Sequence, residues 1–148
     1  MIVSGEITVA AAREELWAVL SDPKRLARAL PGAGDVTVED ETHFSAVAHP
    51  VTALGETLVA MDFEITEARP GEFVRIAGSG SAGENLLALS VALTLASEGE
   101  GTRASWQAEF FARGVMASLL QRGLGELLRE QVEAVLAAGA LISGTGQR

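Results

Sequence analysis

The sequence predicts an α+β domain in which an antiparallel sheet of about seven strands packs against a long C-terminal helix. Three observations predict it. Val3, Gly5, Ile7 and Val9 alternate with Ser4, Glu6 and Thr8 at strand period, further strand-like segments follow at short spacing, and an apolar stripe at helical period comes last. At 148 residues the chain is one ordinary domain, long enough to bury roughly 68–70% of its unfolded surface around a single core.

From Ala11 the period changes, and Leu16, Trp17, Val19 and Leu20 form a helical stripe that stops near Ser21. Asp22 offers an N-cap oxygen and Pro23 suits a first helical position, so a second short helix is expected from Pro23 to about Leu30, ended by Pro31-Gly32. Strands are then expected near Asp35–Glu39, His43–His49, Glu56–Thr66, Glu72–Gly78, Leu86–Ala96 and Thr102–Phe111. Asp40-Glu41, Pro70-Gly71 and Glu98-Gly99-Glu100-Gly101 mark turns, and this spacing suggests an antiparallel meander.

Within the meander Val59, Met61, Phe63 and Ile65 alternate with Ala60, Asp62 and Glu64. Leu87, Leu89, Val91, Leu93 and Leu95 alternate with Ala88, Ser90, Ala92 and Thr94, so one sheet face is oily and the other small or polar. Gly78-Ser79-Gly80-Ser81-Ala82-Gly83 reads as a flexible hairpin loop. It lacks a following lysine and leads into a strand, so it is no phosphate cradle.

The final helix, from about Met116 to Ala138, carries Met116, Leu120, Leu124, Leu127, Leu128, Val132, Val135 and Leu136 on one broad stripe, which is expected to lie on the oily sheet face. Gly123 and Gly125 inside it cost about 1 kcal/mol each relative to alanine, so a close approach or a dent is expected there. Residues 1–138 then form the domain, and 139–148 a short frayed tail.

The formal charge of −9, from 20 acidic and 11 basic residues, repels phosphate backbones and anionic lipid surfaces, so nucleic acid is excluded as a partner. The basic cluster of Arg13, Lys24, Arg25 and Arg28 reads as a solvated helix face. With no cysteine the chain has no thiol nucleophile, disulfide or thiolate metal site, and a cytoplasmic location is expected. No run approaches the roughly 18–20 apolar residues of a spanning helix.

Groups for chemistry are few. His43 and His49 share parity on one strand but stand about 20 Å apart at the usual rise, too far for one metal, and read as solvent-exposed strand residues. Asp62 and Glu64 fall on the outer face, where a carboxylate gains no raised pKa and holds no substrate. No catalytic residue, metal ligand or cofactor site is assigned. Trp106, with Ala104, Ala108 and Phe110, falls on the inward face, and its indole N–H needs a partner when buried, either a ligand oxygen or a backbone carbonyl.

The order strand, two short helices, six antiparallel strands and a long helix resembles the helix-grip fold of the START-like (SRPBCC) superfamily. Within it the chain is similar to the family of the carbon monoxide dehydrogenase G subunit. The resemblance rests on Trp17-Ala18-Val19-Leu20-Ser21-Asp22-Pro23, on Leu26 and Leu30-Pro31-Gly32, and on Gly99-Glu100-Gly101-Thr102, and it covers about Ile2 to Ala138. It implies an accessory protein associated with molybdenum-containing carbon monoxide dehydrogenases, which relatives help recruit to the membrane, often through an apolar C-terminal anchor. The sequence ends at Arg148 with no such segment, so a soluble form is expected, with peripheral membrane contact left open.

Two readings of different class survive. In the first, a cavity between sheet and C-terminal helix binds a lipid-like, isoprenoid or quinone-like molecule. Its lining comprises Met61, Phe63, Leu89, Val91, Trp106, Phe110, Met116, Leu120 and Leu124. In the second, the interior is solid and the chain is an accessory protein that binds oxidoreductase subunits, using the Lys24–Leu30 helix and the Pro31-Gly32 turn. A cyclase or hydrolase ranks below both for want of polar groups in the lining. Oligomeric state is not readable from the sequence.

Overall fold

Period-two alternation at the start of the chain forms strand β1 (Ile2–Val9), and the change of period forms helices α1 (Arg13–Leu20) and α2 (Pro23–Ala29). The computed structural model describes residues 2–29, 33–49, 51–52, 55–115 and 117–146, and their side chains other than those of 33–34, 51–52, 119–124, 127 and 142–146. Asp22 caps α2 as expected: its Oδ1 accepts the Lys24 N–H at 3.0 Å and its carbonyl accepts the Leu26 N–H at 2.8 Å. The expected end of α2 at Leu30-Pro31-Gly32 lies outside the described residues.

The strands that follow are β2 (Ala33–Val38), β3 (His43–Ala48), β4 (Val51–Thr52), β5 (Gly55–Glu56), β6 (Val59–Arg69), β7 (Phe73–Ala82), β8 (Asn85–Glu98) and β9 (Gly101–Arg113), before helix α3 (Ala117–Gly146). Seven of them make one antiparallel sheet in the order β1-β9-β8-β7-β6-β3-β2, and β4 and β5 pair separately. This is the predicted α+β architecture with the predicted meander.

Three boundaries differ from the sequence reading, each for a local reason. The strand expected over Glu56–Thr66 is broken, because the Thr57 hydroxyl donates back to the Gly55 carbonyl at 3.0 Å and turns the chain between β5 and β6. The segment from Gly78 to Ala82 is strand, not loop, and pairs with β8 as far as Ala82 opposite Asn85. Its turn is confined to Gly83-Glu84, with Gly83 at φ 61°, a conformation that costs glycine no Cβ clash. Helix α3 runs past Ala138 to Gly146, because Gly139 packs on α1: a Cβ there would stand 3.3 Å from Leu16 Cδ1 and 3.6 Å from Val19 Cγ1.

Helix α3 packs against α1 and α2, meets β1 and β9 of the sheet, and also touches β4. Arg129 on α3 donates to the Ser4 carbonyl of β1 at 2.9 Å and fastens that seam. Leu16, Leu20, Val74 and Leu136 are fully buried where the helices meet the sheet, and Leu93, Leu95 and Ala104 complete this dense end of the core.

The residues that carry the family resemblance hold the helix pair to the sheet. Trp17 Nε1 donates to the Phe73 carbonyl at 3.2 Å, so α1 is tied to the start of β7. The buried Thr102 hydroxyl donates to the Ala11 carbonyl at 2.6 Å, just before α1 begins. Gly101 lets the chain pass against the Val9 carbonyl, where a Cβ has no room. The motif is therefore structural, and chemistry has to be sought elsewhere.

Candidate functional site

The inner face of the sheet is a set of cross-strand rows fixed by register. Phe63, Gly78, Leu89 and Phe110 form one row, and Ile65, Ile76, Val91 and Ala108 form the next. Val74, Leu93, Trp106 and Gly5 form a third, nearer the dense end. Met61 precedes the first row, opposite Gly80. All six candidate lining residues on strands, Met61, Phe63, Leu89, Val91, Trp106 and Phe110, thus share the concave face. Of the other candidates, Met116 and the side chains of Leu120 and Leu124 lie outside the described residues.

Burial varies within the first row. Phe63 and Leu89 face inward yet remain half-buried, as do Val36 and Val38 on β2, whereas Val91, Trp106 and Phe110 are buried. Among the described residues the face is therefore incompletely covered at Phe63 and Leu89. Phe44 and Phe63 stack at 5.0 Å with 20° between their planes, which aligns an aromatic wall along β3 and β6.

Glycines decide how that wall sits. A Cβ on Gly78 would meet the Phe63 ring at 2.9 Å, and one on Gly80 would meet Met61 Sδ at 2.8 Å. Phe63 and Met61 lie flat across β7 because those side chains are missing. The Gly-Ser alternation that suggests a loop is strand periodicity of the smallest residues, with glycine inward beneath Met61 and Phe63 and serine on the other face. The sequence reading missed this role; the signal that could have found it was the period of two in Gly78, Gly80 and Ala82.

Trp106 occupies a corner of its own. Its indole lies over Gly5, where a Cβ would stand 2.8 Å from Cζ2 and 3.0 Å from Nε1. The Arg129 guanidinium carbon is 5.9 Å from its ring centroid. The ring is 3% exposed, and its Nε1 is fully buried with no hydrogen-bond partner among the described residues. Among the described residues no backbone carbonyl accepts from it. Such an unpaired donor carries a cost of about 1–3 kcal/mol.

His43, Asp62 and Glu64 lie on the outer face. His43 Nδ1 is 2.8 Å from Asp40 Oδ1 and Nε2 is 3.5 Å from Glu64 Oε2, and His43 is half-exposed rather than freely solvated. Donating its Nδ1–H to the Asp40 carboxylate raises the His43 pKa above its ordinary 6.5. The Thr42 N–H, and then His43, hold Asp40 at about 2. His49 is exposed just beyond β3, and Asp62 and Glu64 are exposed as their parity predicts. Among the described residues no group of three His, Cys, Asp or Glu side chains is placed to hold a metal.

One family model, that of the carbon monoxide dehydrogenase G subunit (CoxG), matches residues 5–138. The chain belongs to the CoxG family. Solved structures share the CoxG chain's fold. A conserved protein from Geobacillus kaustophilus has a TM-score of 0.83 at 18% identity, with 98% of this chain and 96% of that one covered. CV1439 from Chromobacterium violaceum gives 0.71 at 19% identity over 96% of each chain. TTHA0849 from Thermus thermophilus gives 0.69 at 16% identity over 100% of both. At these identities the likeness shows the helix-grip fold and no more. No curated protein matches the chain. Among the described residues of this CoxG chain no helix is long and apolar enough to cross a membrane.

Proposed function

We propose that this protein is a non-catalytic accessory or carrier protein. It binds a hydrophobic small molecule, lipid-like, isoprenoid or quinone-like, between the sheet and α3, and it assists a molybdenum-containing oxidoreductase of the carbon monoxide dehydrogenase type. The accessory role follows from CoxG family membership. The ligand reading is carried by one observation: Phe63 and Leu89 face the concave side of the sheet and are still only half-buried. An apolar face that is incompletely covered gains free energy when a hydrocarbon ligand removes it from water, at roughly 25 cal/mol per Å². The residues assigned to contact it are Met61, Phe63, Leu89, Val91, Trp106 and Phe110, with Met116, Leu120 and Leu124. The lining is almost all hydrocarbon, which suits holding and release better than bond making.

A cytoplasmic location with reversible membrane contact accompanies this role. Native mass spectrometry with solvent extraction of the purified protein tests the ligand. Bound lipid or isoprenoid is the expected result, and an empty protein that also fails to bind Nile red removes the carrier role. Leu89→Trp is expected to abolish dye binding with the circular dichroism spectrum intact. Affinity capture from the native host is expected to recover oxidoreductase components.

A second reading, an accessory protein with a solid interior and no ligand, is favoured by the way Met61 and Phe63 fill the places over Gly80 and Gly78. It differs in predicting partner capture without dye binding.

A further inference from the structure

We propose that the outer face of the sheet is a self-association surface. Its occupant is a second copy of this chain, related by a two-fold axis that crosses β9 at Phe111. Exposed large apolar side chains are ordinary when scattered singly. Here three of them meet. Phe111, Leu86 and Ile2 are 60%, 60% and 61% exposed, and register puts them on one face at the same end of the sheet. Phe111 lies opposite Ala88, Leu86 opposite Arg113 and Ile2 opposite Glu109, so Leu86 and Ile2 are the diagonal neighbours of Phe111 on the two adjoining strands. Beside them the floor is small and uncharged, with Ala88 and Ser90 on β8 and Ser79 and Ser81 on β7. Sheets packed face to face stand about 10 Å apart, and these short side chains leave room for the Phe111 and Leu86 of an opposing sheet.

Charge complementarity selects a second copy as the occupant. Glu109, Phe111 and Arg113 follow one another on the outer face of β9 at period two, so the ring stands midway between an anion and a cation. The two charges are about 13 Å apart along the strand, too far to pair with each other. Among the described residues neither makes an ion pair. Rotation by 180° about an axis through Phe111, lying in the interface and across the strands, exchanges the two ends of this pattern. Phe111 then meets Phe111, and each Glu109 meets the other copy's Arg113. The patch is its own complement, as an isologous interface requires. A bilayer would cover the apolar centre and leave the Glu109 carboxylate against lipid. The face is the reverse of the concave one, so association leaves Phe63 and Leu89 free and is independent of the carrier reading.

Sedimentation equilibrium of the full-length protein tests this. A dimer that dissociates on dilution is expected, and Phe111→Glu, with its circular dichroism spectrum unchanged, is expected to sediment as a monomer. Glu109→Arg and Arg113→Glu each set like charges opposite one another, and each is expected to weaken association by about tenfold or more. Mixed in equal amounts, the two charge variants are expected to form a heterodimer about as stable as the wild-type dimer, because each presents the charge that the other lacks. A wild type that stays monomeric at every concentration overturns the inference, as does a dimer that survives Phe111→Glu or a mixture of the charge variants that fails to associate. A monomer that binds phosphatidylcholine vesicles, and loses them in Phe111→Glu, assigns the face to a membrane and overturns it equally.

Discussion

The indole of Trp106 lies flat over Gly5, so that the largest side chain of β9 occupies the place of a missing one on β1. The pair closes the seam on which Arg129 is fastened, and it orients the one unpaired buried indole donor among the described residues. Gly5→Ala would bring a methyl group within 2.8 Å of the ring. We expect a loss of about 1–3 kcal/mol from this overpacking. Urea titration measures it, and Trp106→Leu in the same chain is expected to recover part of the loss.

Gly78 and Gly80 separate two kinds of crowding. A methyl group on Gly78 meets the Phe63 ring, which can rotate, whereas one on Gly80 runs into the Ala60 carbonyl of the backbone. Gly80→Ala is therefore expected to cost more than Gly78→Ala, the latter about 1–3 kcal/mol. Thermal melts of the two variants give the order directly, and equal losses would show that β6 and β7 are not held in this register.

Thr102 joins the final hairpin to the first helix through one buried hydrogen bond, from its hydroxyl to the Ala11 carbonyl. Thr102→Val keeps the shape and removes the donor. The loss expected is about 1–3 kcal/mol, the cost of leaving that carbonyl unpaired, with Nile red binding unchanged. Leu136→Ala, which opens the dense end of the core where α3 meets α1, is expected to cost about 2–5 kcal/mol.

The Asp40–His43 pair gives a signed dependence on pH. His43 has its pKa raised above 6.5, so its contribution is complete below that value and is lost as pH rises through the raised pKa. Asp40 is lowered from 3.8 to about 2, so its contribution is complete above 3.8 and is lost as pH falls through about 2. Both stabilise between 3.8 and 6.5. The difference in Tm between the wild type and Asp40→Asn is expected to be largest in that window, small because both groups are exposed, and reduced on either side. The His43 titration followed by NMR is expected to move down in the variant.

Much of the fold was legible because it is written in local periodicity. The alternation of Met61, Phe63 and Ile65, and of Leu87 to Leu95, identified the inner face that the register brings together. Asp22-Pro23 announced the start of α2 by cap chemistry alone. Gly78 to Ala82 defeated the same method. Glycine and serine have turn-forming composition, and only the side chains of Met61 and Phe63, from another strand, make those glycines part of a strand. The helix beyond Ala138 was hidden likewise, since Gly139 resembles a terminator until Leu16 and Val19 are seen against it.

For the candidate site the division is similar. Which side chains turn inward, and that they are almost all hydrocarbon, follows from the order of residues alone, because the direction of a strand side chain depends only on parity. The same parity makes Trp106 an inward polar handle. Contacts between distant elements bring α3 against α1, α2, β1 and β9 and set Arg129 beside Trp106, and Phe63 and Leu89 remain half-buried. Those arrangements depend on which distant residues meet, on Gly5 beneath an indole and Gly139 against α1. Periodicity reports the face a residue occupies and carries no information about what lies opposite.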